Sequence, residues 1–333
     1  MTALVVCHAG QGIGLGHLSR SLVLATALRE RFTSDVELLI QGEEIARPDL
    51  ANFSHRFISP LTALGGIVVE AVSNYRPWLV VLDLHPQRVP EDLLRVLVHI
   101  RNCGGRVVGI DGLLRYRSQL DLVFLPSLRC DDPLAQGTGT PVVYGLDCFL
   151  TPEGRRSNAW SPGSEVLILT GGSDQTGLGA EWPAILDEML PSGARPNWVQ
   201  GPYAQDPLLP ISPRLVWSVH HSPSGLKQQM NLTNYALTIF GVSFFELLKM
   251  GVPTVVFSPY GAKDFLDMQY IAKAGIALVA NDERDAVEQM KKLMQDENLA
   301  RALSLRAETS MIDAGGARMC ELVALWHSPD ATQ

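Results

Sequence analysis

The sequence predicts an α/β protein built from two Rossmann-like domains of similar size, and three observations carry that expectation. Short apolar runs alternate with amphipathic stretches from end to end, the pattern of parallel strands joined by crossover helices. The alternation breaks once, in a polar segment rich in Pro, Gly and Ser at 151–163, and then restarts. The chain has 333 residues, enough for two cores of roughly 150 residues each. The expected organisation is a domain at 1–150, a linker at 151–163 and a second domain at 164–333.

In the first half, Ala3–Cys7, Val36–Ile40, Leu79–Leu82, Val107–Ile110 and Leu122–Leu125 read as buried strands. Leu18–Arg31 and Glu91–Asn102 read as helices, the second starting after Pro90 and stopping at Gly104-Gly105. In the second half, Glu165–Leu169, Asn197–Gln200, Leu215–Val219, Ala236–Ile239 and Thr254–Phe257 read as strands, and two or three helices fill 286–327. Two open parallel sheets imply a cleft facing their carboxyl ends, the edge where such sheets take ligands. Motifs that follow strands therefore carry the most weight.

Composition narrows the function classes. The balance of 27 basic against 35 acidic residues gives a formal charge of −8, so there is no basic field for a nucleic-acid backbone. Met1–Cys7 lacks a basic n-region and reads as a first strand, not a signal peptide. No apolar run approaches the roughly 20 residues that span a bilayer, although peripheral membrane contact stays open. The five cysteines form no CxxC pair and read as reduced thiols of a cytoplasmic protein. Asp-x-Asp occurs nowhere, and the neighbouring His220 and His221 would point to opposite faces of a strand, so no metal and no cofactor are expected.

The first strand runs into Gly10-Gln11-Gly12-Ile13-Gly14-Leu15-Gly16-His17-Leu18-Ser19-Arg20. Alternating glycines allow a tight turn and close approach of a ligand, and the helix that follows offers free N–H groups to an anion. A dinucleotide fingerprint fails at its third glycine and lacks the acidic residue after the second strand, where Gln41-Gly42 stands. A P-loop is excluded because Gly-Lys-Ser/Thr is absent. His17 reads either as a packing residue of the first helical turn or as a general base, since a helix start disfavours the imidazolium and leaves a ring able to accept a proton. His8, at the strand end, is a weaker candidate.

In the second half, Glu165–Leu169 ends in Thr170-Gly171-Gly172-Ser173-Asp174, a glycine turn suited to phosphate oxygens. More specific is Gly241-Val242-Ser243-Phe244-Phe245-Glu246, followed by Gly251-Val252-Pro253. Here Ser243 can cap a helix with Glu246 at capping-box spacing. Alternatively, Glu246 accepts both hydroxyls of a ribose.

These residues resemble glycosyltransferases of the GT-B fold, in particular the group with a family 28 C-terminal domain, to which the N-acetylglucosaminyltransferase of peptidoglycan lipid synthesis belongs. Gly241-x-Ser243-x-x-Glu246 with Gly251-x-Pro253 is similar to that group's UDP-ribose motif, Gly171-Gly172-Ser173 to its second glycine loop, and Asp267-x-Gln269 to its sugar-contacting stretch. The N-terminal half resembles the UDP-sugar hydrolase of pseudaminic acid biosynthesis and its spore-coat polysaccharide relatives. Gly14-x-Gly16-His17-x-x-Arg20 matches their loop, and Leu79–His85 resembles their strand ending in an aspartate, here Asp83. Ile110-Asp111 and Tyr144–Leu150 follow in the same order. Three positions depart from the hydrolase pattern: Pro86 stands for a tyrosine, Gly112 for an aspartate and Thr151 for an arginine.

The resemblance implies two Rossmann-like domains facing each other across a cleft. The first would be the acceptor and catalytic-base domain, and the second would bind the nucleotide sugar. It implies a metal-independent inverting transferase with a UDP-sugar donor and an acceptor that is a small molecule, glycan or lipid-linked sugar. His17 would be the base and Asp83 its orienting partner or an acceptor contact, unless Asp83 merely caps its loop. The donor would meet Gly14, Gly16, Arg20, Gly171, Gly172, Ser173, Gly241, Ser243, Glu246, Asp267 and Gln269. Hydrolysis of the UDP-sugar, and a binding module without turnover, are the alternatives.

Overall fold

A computed structural model describes residues 2–10, 12–33, 35–152, 154–156, 158–221, 226–311 and 315–327. Gln11 of the glycine loop, residues 153 and 157 of the expected linker, and 312–314 and 328–333 of the expected second domain lie outside the described residues. The chain divides into two compact units, Met1–Pro152 with Asp313–Gln333, and Glu153–Ile312.

In the first unit the strands are β1 (Thr2–His8), β2 (Asp35–Gln41), β3 (Ser54–Ile58), β4 (Leu79–Asp83), β5 (Arg106–Ile110), β6 (Leu122–Leu125) and β7 (Val142–Tyr144). They form one parallel sheet in the order β3-β2-β1-β4-β5-β6-β7. Helices α1 (Gly16–Phe32), α2 (Leu64–Tyr75) and α3 (Leu93–Asn102) cross between them. Successive strand residues face opposite sides, and both sides are covered, which is why β1 is apolar without alternation. Ala3, Val5 and Cys7 pack in one core with Leu18, Leu24 and Leu28 of α1. Leu4 and Val6 pack in the other with Val68 of α2 and Leu97 of α3.

In the second unit the strands are β8 (Glu165–Leu169), β9 (Arg195–Gln200), β10 (Ser218–His221), β11 (Tyr235–Ile239), β12 (Thr254–Phe257) and β13 (Leu278–Ala280). Their order is β10-β9-β8-β11-β12-β13, again all parallel. The helices are α4 (Leu178–Met189), α5 (Leu226–Leu232), α6 (Val242–Lys249), α7 (Phe265–Ala274), α8 (Glu283–Gln295) and α9 (Glu297–Ser310); α10 (Gly315–His327) comes next in the chain but lies in the first unit. Val166 and Ile168 face a core with Trp182 of α4 and Val287 of α8, while Leu167 and Leu169 face Leu247 of α6.

Three expectations change. The last helix, placed by sequence in the second domain, belongs to the first unit. Met319, Cys320 and Val323 of α10 join the α1 core, and a Cβ on Gly316 would lie 2.9 Å from that of Ala27. Part of the segment expected as linker is core: Trp160 is buried in the second unit and donates its Nε1–H to the Asn234 carbonyl at 2.7 Å. One aromatic residue cannot make a hydrophobic period, so composition hides it. The strand expected at Leu215–Val219 is instead Ser218–His221, because Leu215 is buried in the preceding loop. There the backbone N–H groups of Arg214 and Leu215 and the Trp217 indole donate to the Asp187 carboxylate at 2.8–3.0 Å. Strands β3, β7 and β13 have no signal in the sequence. The first is mostly exposed at a sheet edge, and the others are three-residue edge strands.

Among the described residues, no helix is long and apolar enough to cross a membrane. The cysteines are free thiols, and burial pushes Cys7, Cys148 and Cys320 up to about 12.

Candidate functional site

In the first sheet the chain moves outward from β1 through β2 to β3, then restarts on the other side at β4. The β1/β4 boundary is therefore the topological switch point, the natural ligand position of an open parallel sheet. Cys7 and Asp83 are register partners there, which puts His8, the glycine loop and Asp83 together. Helix α1 begins at Gly16, so His17 and Arg20, on one face of its first turn, lie over the same strand ends.

Asp83 has no solvent exposure, and the side chains of His17, Arg20 and, at 3.5 Å, Ser21 converge on it. His17 Nδ1 lies 2.7 Å from Asp83 Oδ1. Arg20 donates from Nε to Oδ2 at 2.6 Å and from Nη2 to Oδ1 at 2.5 Å. Arg20 Nη2 also donates to Asp111 Oδ2 at 3.1 Å. Burial alone would raise the Asp83 carboxyl, but the Arg20 guanidinium and then His17 more than reverse this, and it is pushed down to about 2. For Arg20, burial acts to lower the guanidinium and Asp83 raises it further, so it stays charged.

An ionised Asp83 fixes the His17 tautomer. Nδ1 donates to the carboxylate, so the 2.9 Å approach of Arg20 Nη2 to that nitrogen is a contact between two donors. In that tautomer Nε2 is the ring's acceptor. A histidine bound through Nδ1 to a buried carboxylate is an arrangement that general base catalysis can use.

The sequence missed Asp111 as a member of this cluster. It comes directly after β5, whereas Asp83 is the last residue of the adjacent β4, and it adopts a left-handed backbone (φ 60°) that is uncommon outside glycine.

His8 is fully buried and accepts the backbone N–H of His85 on Nδ1 at 2.9 Å. Burial first, and then the neighbouring His17, lower its imidazole to about 4 against an opposing Gln41 side chain. Between pH 6.5 and 4 the unfolded chain would protonate this ring while the folded chain does not. Stability should therefore fall as pH falls through that window, by up to about 3 kcal/mol. Urea unfolding at several pH values checks this, and His8→Asn should flatten the dependence.

The glycine loop differs in detail from the anion cradle expected. Gly10 and Gly14 bridge each other (Gly10 N to Gly14 O 3.2 Å, Gly14 N to Gly10 O 2.8 Å), and Ile13 N also donates to Gly10 O. Those amides close the loop on itself, and the Gly14 amide is not available to a phosphate. The start of α1 at Gly16 carries no side-chain cap. Gln41, where a ribose-binding acid would stand in a dehydrogenase, donates to the Thr62 carbonyl at 2.8 Å.

In the second sheet the switch point lies between β8 and β11. The turn after β8 and the start of α6 after β11 meet there, and a Cβ on Gly171 would lie 3.2 Å from Ile239 at the end of β11. Gly171 has φ 83°, and Ser173 is half-buried in the same turn. The carbonyls of Gly171 and Gly172 abut Gly201, where any Cβ would collide with both oxygens. Gly172 O also accepts from Tyr203 N at 2.9 Å.

One expectation changes here, and the neighbouring helix start is closed to an anion. The α4 N-terminus is already occupied, because Asp174 accepts from Leu178 N at 3.1 Å and Gly179 N at 2.8 Å. The N-cap of α6 is Gly241, not Ser243, and α6 has no side-chain cap. Extended backbone at Gly241 lets Val242 start the helix, so Ser243 lies in its first turn. Glu246 stands half-buried, one turn in, outside a capping box. Asp267 and Gln269 both lie on α7, but two residues apart they point away from each other: Asp267 is half-buried and Gln269 exposed. Among the described residues, no three His, Cys, Asp or Glu side chains are grouped to hold a metal ion.

Neither a protein-family model nor a curated protein sequence matches the chain. Solved structures do. MurG of Acinetobacter baumannii superposes with a TM-score of 0.63 at 14% identity, over 97% of this chain and 99% of that one. UGT2 of Phytolacca americana, solved with UDP-2-fluoro-glucose and pterostilbene, gives a TM-score of 0.63 at 15% identity, over 98% and 100%. The spinosyn rhamnosyltransferase SpnG, solved with thymidine diphosphate, gives 0.56 at 17%, over 97% and 100%. At these identities the likeness establishes architecture: two parallel-sheet α/β units of seven and six strands, the GT-B glycosyltransferase fold, over essentially the whole chain.

Proposed function

We propose that the protein is an inverting, metal-independent glycosyltransferase that uses a UDP-sugar, with His17 as general base. The observation that carries this reading is the His17–Asp83 pair at the switch point of the first sheet. It is a base with a fixed tautomer, on an ionised and wholly buried carboxylate. His17 Nε2 takes the proton of an acceptor hydroxyl as its oxygen attacks the anomeric carbon. The bond from that carbon to the diphosphate oxygen breaks, and UDP leaves.

The second unit supplies the donor site in this reading. The uncapped start of α6 at Gly241 and Ser243, with the turn Gly171-Gly172-Ser173, stabilises the diphosphate. Glu246 accepts the ribose hydroxyls. The α4 N-terminus takes no phosphate because Asp174 fills it. Asp267 and Gln269 can share a sugar only if it reaches two sides of α7. UDP and thymidine diphosphate in the similar proteins support a pyrimidine nucleoside diphosphate as the donor's leaving group.

The test is UDP release from a panel of UDP-sugars, without acceptor and then with candidate sugar and lipid-linked acceptors. Acceptor-dependent release supports the transferase. Fast release of free sugar without acceptor would make the protein a hydrolase using the same base, and UDP binding with no release under any condition would leave a binding module. In addition, Glu246→Gln should weaken UDP binding by roughly 10- to 100-fold, the loss of one charge-assisted hydrogen-bond pair. Calorimetric titration with UDP decides this, and an unchanged affinity removes Glu246 from the ribose.

A further inference from the structure

The loop after β4 is fixed at three points. His8 Nδ1 accepts the His85 backbone N–H at 2.9 Å. Pro86 lies directly on Gly112, so close that a Cβ there would be 2.7 Å from Pro86 Cγ. Gln87 N–H reaches back to His85 Nδ1 at 3.4 Å. The Pro86 and Gly112 departures noted in the sequence are therefore one packing arrangement, since the proline leaves room only for glycine. The fixed loop sets the His85 ring edge-on to the His17 ring, with centroids 5.8 Å apart and planes 70° apart. His17 is thus held by Asp83 at Nδ1 and by His85 against its ring.

We propose that His8 is a positioning residue for the base: its buried Nδ1 holds the His85 backbone, and through the His85 ring it keeps His17 in the orientation that aims Nε2. The inference rests on His17 being the base. His8 itself touches no substrate in this scheme. It must present a lone pair at Nδ1, so the Nε2–H tautomer is required, and a protonated ring could not make the bond. Burial keeps it in that neutral form.

Long-range ¹H–¹⁵N correlation spectra of the full chain, with ¹⁵N-labelled histidine and no substrate, test this directly. The expected wild-type pattern is Nε2–H for His8 and Nδ1–H for His17. In His8→Leu the His17 and His85 ring signals should shift and broaden. In His8→Asn, whose Oδ1 can replace the Nδ1 acceptor, they should return to the wild-type positions. If His8→Leu does not fold, His8→Gln serves, since its acceptor sits too far out to replace Nδ1, and it should behave as the leucine variant is expected to. On a donor that the wild type turns over, kcat should fall roughly 10- to 100-fold in His8→Leu with the donor KM little changed, and recover in His8→Asn.

His17 and His85 signals that stay at wild-type positions in both His8→Leu and His8→Gln would overturn the proposal, as would a folded His8→Asn that matches the leucine variant. His17→Ala separates the two readings. Full turnover in that variant removes the base assignment, whereas an inactive His17→Ala beside a fully active His8→Leu removes only the positioning role.

Discussion

Replacing His17 with alanine is expected to lower UDP release by roughly 10²- to 10⁴-fold, the range that a positioned general base contributes. UDP affinity should be little changed, because the diphosphate and ribose contacts proposed above, from Gly171 to Ser173 and from Gly241 to Glu246, lie in the second unit. Folding should be little affected. With His17 gone, Asp83 still accepts from Arg20 Nε and Nη2, so the buried carboxylate keeps two charged donors. Steady-state UDP release, calorimetric UDP binding and urea unfolding on the same preparation separate these effects. Full turnover in this variant would end the base assignment, and a collapsed fold would return His17 to a packing role.

Asp83→Ala is expected to have the larger effect on stability. It leaves the Arg20 guanidinium, only 11% exposed, with the half-exposed Asp111 as its remaining carboxylate. An uncompensated buried charge of this kind costs about 3–5 kcal/mol, measurable as a fall in the urea midpoint. Turnover should fall with it, because His17 loses the acceptor that fixes its tautomer. Asp83→Asn keeps the shape and separates the two consequences. Its amide can donate to His17 Nδ1 and favour the wrong tautomer, so activity should drop more than stability.

The same carboxylate sets an acid limit. Its folded value of about 2 lies below the ordinary 3.8, so its contribution is complete above pH 4 and is lost as pH falls toward 2. That loss lies below the His8 window, and wild-type acid unfolding should show both. Only the lower phase should vanish in Asp83→Asn, and a wild-type curve flat between pH 4 and 2 would remove the ion pair as its cause.

What the sequence determined by itself is what its local patterns encode. Fully buried parallel strands read as unbroken apolar runs, so the inner strands of both sheets, and with them the two-domain α/β architecture, were legible. Glycine-rich turns after strands marked both switch points, and the order of His17, Arg20 and Asp83 along the chain followed a recognisable pattern. Only the tertiary structure decided what depends on contact between distant segments. The meeting of Asp83 with His17 spans 66 residues, and that of Arg20 with Asp111 spans 91. No local period records either.

The same reason explains the corrections. Edge strands lack the burial that gives a strand its pattern, a lone Trp160 has no period, and α10 reads as an ordinary amphipathic helix until α1 is seen beneath it. The capping box at Ser243 fits the sequence spacing, but the backbone at Gly241 starts the helix earlier and leaves Glu246 outside it. Side-chain chemistry was written in the sequence, whereas which of those side chains meet was fixed by where the first sheet changes direction.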